Sequence, residues 1–95
     1  MTTSFKVAAD VRYRVIGDEA VVVRQLEGDV LVLNEVAARV LQLAGEGLSQ
    51  AEICGRLAGE FEAPEADLPR DVERFLAELE ELAVLERVAA EGNGP

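Results

Sequence analysis

Along the first third of the chain, apolar and polar residues alternate, and after that the period changes. Val11, Tyr13 and Val15 alternate with Arg12 and Arg14, the period of two expected of a half-buried strand, which stops at Gly17-Asp18. A valine-rich run from Ala20 to Leu26 follows and ends at Glu27-Gly28-Asp29, a strong hairpin-turn signal. The third run is Val30-Leu31-Val32-Leu33. Short links between successive strands favour an antiparallel meander with the second strand in the middle.

From Asn34 onward the period is about 3.6. Asn34 is a good N-cap, and Ala37, Val40, Leu41 and Ala44 share one face of a helix over 35–44 that Gly45-Glu46-Gly47 ends. Ser49 and Glu52 have the spacing of a capping box, and behind them Ile53, Cys54, Leu57, Ala58 and Phe61 form the apolar stripe of a second helix. A linker around Glu62-Ala63-Pro64 leads to the longest helical pattern, in which Leu68, Val72, Phe75, Leu76, Leu79 and Leu82 recur at steps of three and four. Pro69 lacks an N–H and belongs in the first turn, so this helix begins near Asp67 or Leu68. Val84-Leu85 is expected to tuck back against the body.

These elements predict an α+β, winged helix-turn-helix-like domain: a three-stranded antiparallel sheet followed by three helices. Residues 1–9 read as an N-terminal extension, 10–87 as the domain and 88–95 as a disordered tail.

Composition narrows the chemistry. The chain has 95 residues, 49% of them hydrophobic, enough to fill one core. It has no histidine, hence no imidazole base, no Ser-His-Asp arrangement and no common zinc set. An enzyme is therefore not expected, and no cofactor or metal. Cys54 lies on an apolar stripe and reads as core filler, without a partner for an internal disulfide. Nothing at the start resembles a secretory signal and no apolar run approaches the ~20 residues of a membrane span, so a soluble cytoplasmic protein is expected.

Charge is uneven. Residues 1–45 hold six acidic and five basic residues, whereas residues 46–95 hold thirteen and four. A double helix must be met with several Lys or Arg side chains, and Lys6 is the only lysine. Nucleic acid is not expected as a partner. Glu80 and Glu81 read as solvent-facing.

The third strand is the most informative local feature. In a three-strand meander it is an edge, and an unpaired apolar edge invites another chain to add on. Arg12 and Arg14 guard the first strand, but Val30, Leu31, Val32 and Leu33 include neither charge nor proline. Burial of both faces under helices would account for the side chains. The outer backbone N–H and C=O groups would still need a partner, which a peptide laid alongside as a strand would supply. On the third helix, Asp71, Arg74, Phe75 and Glu78 lie at the border of the apolar stripe. They would line a groove if the helix lies beside the strand; otherwise Phe75 is core and the charges are a solvated face.

The stretch from Gly28 to Leu85 resembles the PqqD-like proteins. The likeness rests on Gly28-Asp29-Val30-Leu31-Val32-Leu33-Asn34-Glu35, Ala38-Arg39-Val40-Leu41-Gln42-Leu43, Glu52-Ile53 and the run Asp71 to Leu79. These are the peptide chaperones, or RiPP recognition elements, of ribosomally synthesised and post-translationally modified peptide pathways. The resemblance implies a winged-helix fold that holds a precursor's leader segment as an added strand and presents it to a modifying enzyme, such as a radical SAM maturase, a leader peptidase or a cyclase. It places the leader against Val30, Leu31, Val32 and Leu33, in a groove closed by Asp71, Arg74, Phe75 and Glu78. Two positions depart from the family pattern: Pro69 replaces a helix former, and Ala83 replaces the glycine often found at the helix end.

Two other functions are weighed, one sharing the architecture and the other the size and charge. A winged-helix DNA-binding regulator needs a basic recognition helix, whereas the second helix offers only Arg56 and the third carries Arg70 and Arg74 among more acids. An acidic carrier protein needs a serine at a helix start for its phosphopantetheine arm. Ser4 and Ser49 are the only serines, and Ser49 serves as a cap in Leu-Ser-Gln.

Overall fold

A computed structural model describes residues 4–61 and 67–88. At its centre is a three-stranded antiparallel sheet of β2 (Val11–Ile16), β3 (Glu19–Arg24) and β4 (Asp29–Leu33), with β3 in the middle. Gly17, at φ +61°, opens the two-residue turn that pairs Ile16 with Glu19, a conformation glycine reaches without a Cβ clash. The register sets Tyr13, Val22 and Leu31 in one row on the inner face. Val22 is fully buried there, and Tyr13 and Leu31 pack against the core. β3 ends at Arg24, two residues short of the expected run, because Gln25 begins the turn.

The helices follow the periodicity. In α1 (Glu35–Gly45) the Asn34 side chain accepts a hydrogen bond from the Ala37 N–H, and Ala37, Val40, Leu41 and Ala44 are buried as expected. Gly47 (φ +94°) ends the helix, with its N–H bonded to the Ala44 carbonyl and the Leu48 N–H to the Leu43 carbonyl. α2 (Gln50–Glu60) begins with the reciprocal box of Ser49 and Glu52. Its stripe is narrower than expected: Ile53 and Leu57 are buried and Cys54 half-buried, but Ala58 is exposed. α3 (Leu68–Glu81) buries Leu68, Val72, Leu76 and Leu79, and Pro69 sits in its first turn, where the missing N–H has no intrahelical acceptor to lose.

Two further strands complete the fold. β1 (Ser4–Val7) pairs antiparallel with β5 (Leu85–Val88) in a separate two-stranded sheet. The segment read as an extension is therefore folded where it is described, with Phe5 buried in the same core as Val11, Leu41, Leu76 and Leu85. Val84 and Leu85 do tuck back, both buried, and the Ala8 N–H bonds to the Val84 carbonyl. Residues 89–95 of the expected tail and the linker 62–66 lie outside the described residues.

Candidate functional site

β4 is hydrogen-bonded on one side only. Its neighbour is β3, and among the described residues no strand pairs with its other edge. The alternate backbone N–H and C=O groups of that edge point away from the sheet. Leu31 and Leu33 are half-buried on the core side, while Val30 and Val32 are 58% and 62% exposed. Helices thus cover one face of the strand, not both. The register continues the open face across the sheet, as Arg12–Val23–Val30 and Arg14–Val21–Val32. That face has four valines and two guanidiniums.

On α3, Arg74 lies against two of the other three expected residues. The Arg74 guanidinium lies 3.8 Å from the Asp71 carboxylate and 5.3 Å from the centroid of the Phe75 ring. Asp71 and Phe75 are half-buried, Phe75 against the core; Arg74 is exposed, and so is Glu78 one turn on. Leu31, Leu33 and Phe75 thus pack on one core, yet α3 makes little backbone contact with β4. The strand edge is not occupied by the helix.

A direct link between these two elements is Arg24, which pattern reading left unremarked inside the second run and which the structure places at the end of β3. Its Nε donates to Asp29 Oδ1 at 2.8 Å, its Nη2 pairs with Asp29 Oδ2, and its Nη1 donates to the Leu82 carbonyl at 2.7 Å. The side chain is 15% exposed. The hydrogen bond from Arg24 holds the Asp29 carboxyl below the usual carboxylate range. One signal was available in the sequence: Arg24 and Asp29 flank a four-residue turn, so a hairpin sets them directly opposite each other.

Other ion pairs join elements of the fold. Glu80, expected to face solvent, is half-buried and paired with Arg87 at 2.9 Å, and the Arg87 guanidinium lies over the Phe5 ring. Arg39 pairs with Glu60, tying α1 to α2. Burial pushes the Cys54 thiol up, which favours the unreactive protonated form. The hollow at the α1–α2 turn is lined by Glu46 and Glu52 with Arg56, a poor seat for phosphate. No described helix is long and apolar enough to cross a membrane.

The described residues thus form an α+β domain in which the β4 edge of a three-stranded sheet is unpaired and a mixed-charge helix, α3, packs on the same core. A model of the coenzyme PQQ synthesis protein D (PqqD) family matches residues 19–85, and the chain belongs to that family. Two solved structures are similar. One, "TbiB1 in Complex with the TbiA(beta) Leader Peptide", has 28% identity and a TM-score of 0.79, over 90% of this chain and 99% of that one. The other, "Lasso peptide synthetase B1 complexed with the leader peptide", has 23% identity and a TM-score of 0.78, over 87% and 98%, and supports the fold. A comparison with curated proteins gives no match.

Proposed function

We propose that this protein is a non-catalytic cytoplasmic adaptor that binds the leader segment of a ribosomally synthesised precursor peptide and presents it to a modifying enzyme. The leader adds as a strand to β4 and is flanked by Asp71, Arg74, Phe75 and Glu78. The observation that carries this reading is the unpaired edge of β4, with half-buried Leu31 and Leu33 on one face and exposed Val30 and Val32 on the other. Backbone hydrogen bonds to such an edge tolerate many sequences, and alternate side chains of the guest reach the apolar surface, which gives selectivity. Family membership and the leader-bound TbiB1 structure support the same reading.

The test is an NMR titration of the labelled protein with the leader of a precursor encoded beside its gene. Amides of residues 30–34 and 70–78 are expected to shift in a saturable way. If they stay unmoved at high peptide excess, the groove is wrong.

A further inference from the structure

Arg24 stands between the two walls of the proposed groove. Among the described residues it is the one side chain hydrogen-bonded both to β4, through Asp29, and to the end of α3, through the Leu82 carbonyl. That carbonyl is one of the last of the helix and has no intrahelical N–H to accept from. The next two N–H groups turn back into the helix instead, Ala83 to the Glu80 carbonyl and Val84 to the Leu79 carbonyl. A guanidinium is planar and holds its donors in a fixed fork, so three bonds from one group determine where Leu82 sits relative to Asp29. β4 and α3 make little direct backbone contact and otherwise meet through the shared core, on which Leu31, Leu33 and Phe75 pack, so Arg24 is the polar tie between them at the Asp29 end of the strand.

We propose that Arg24 is a positioning residue of the leader site: by gripping Asp29 and the Leu82 carbonyl together, it fixes the separation of β4 and α3 and so the width open to the guest strand. This inference rests on the reading of β4 and α3 as the leader site. Arg24 itself does not touch the guest. Lysine keeps the charge, but its shorter reach and rotating ammonium lack the planar fork, so it does not fix the two partners at a set separation.

The experiment compares the full-length wild type with Arg24→Lys, Arg24→Gln and the double variant Arg24→Gln/Ala83→Gly. The probe is a fluorescent synthetic leader from the neighbouring precursor gene, titrated by anisotropy at a temperature where circular dichroism shows each protein folded. Ala83→Gly relieves a left-handed alanine and returns part of the stability without restoring the clamp. Both single variants are expected to bind about tenfold more weakly, and the double variant to stay weak although its melting temperature rises above that of Arg24→Gln. Amide hydrogen exchange should quicken at residues 82–84 and in β4 while α1 is unchanged. Wild-type affinity in Arg24→Lys and Arg24→Gln, or recovery of affinity along with stability in the double variant, overturns the inference and leaves Arg24 a fold-stabilising residue. Absence of wild-type binding overturns the site itself and the inference with it.

Discussion

Two residues occupy the same position at two helix ends with different fitness for it. α1 and α3 both finish in a Schellman arrangement, with the residue after the cap in the left-handed region and two backward N–H bonds. At α1 that residue is Gly47; at α3 it is Ala83, at φ +60°. A Cβ in that conformation costs roughly 1 kcal/mol, only partly offset by the lower entropy of an unfolded alanine. Ala83→Gly is therefore expected to stabilise the protein by about 0.5–1 kcal/mol, read as a higher urea midpoint with an unchanged slope. The sequence marked the position through the family's usual glycine, but only the backbone angle shows that alanine adopts the glycine conformation.

At the scale of elements, whatever is encoded locally was legible and whatever is encoded by distant pairing was not. β2 to β4 and the three helices follow from periodicity, caps and turn residues within a few positions of one another. The β1–β5 sheet joins residues some eighty positions apart, and its four-residue strands carry no periodic pattern long enough to read. Phe5 is the decisive residue there, 4% exposed and under the Arg87–Glu80 pair. Phe5→Ala is expected to cost about 3–4 kcal/mol, as emptying a buried aromatic site does. A denaturation midpoint near that of the wild type would return residues 4–7 to the status of an appendage. The proposed site divides in the same way. The apolar strand edge at Val30 to Leu33 and the border of the α3 stripe follow from patterning, whereas the Arg24 link from Asp29 to the Leu82 carbonyl needs the hairpin register and the position of a helix end.

The ion pairs that join elements also set a pH response. Asp29, Glu60 and Glu80 are held below the usual carboxylate range, each chiefly by a hydrogen bond from Arg24, Arg39 and Arg87 respectively. A folded-state pKa below the unfolded one stabilises the fold above the unfolded pKa. That contribution fades as pH falls through the folded value. Stability is expected to decline from about pH 4 downward, modestly because all three groups reach solvent. Chemical denaturation of Asp29→Asn across this range should show a flatter decline than the wild type; an identical slope would remove Arg24–Asp29 as a contributor.

For the whole molecule, charge and apolar surface are segregated. The acidic excess falls in residues 46–95, which contribute α2 and α3, while the open face of the sheet has Val21, Val23, Val30 and Val32 beside Arg12 and Arg14. The sheet therefore has two unlike margins. A β2 margin meeting another β2 margin sets guanidiniums against guanidiniums, whereas β2 against β4 brings no such repulsion. That unlike contact is head-to-tail, and unless its rotation closes a ring it lengthens into an open fibre. On the proposed mode of binding, a leader added to β4 would act as a chain terminator. Concentrated protein is expected to scatter light in a way that leader suppresses below one equivalent, since one occupied margin silences a whole stack. Scattering that falls only in proportion to peptide added would mean closed β4–β4 pairs instead. Peptide supply would then govern not only what the adaptor delivers but how much of it stays dispersed.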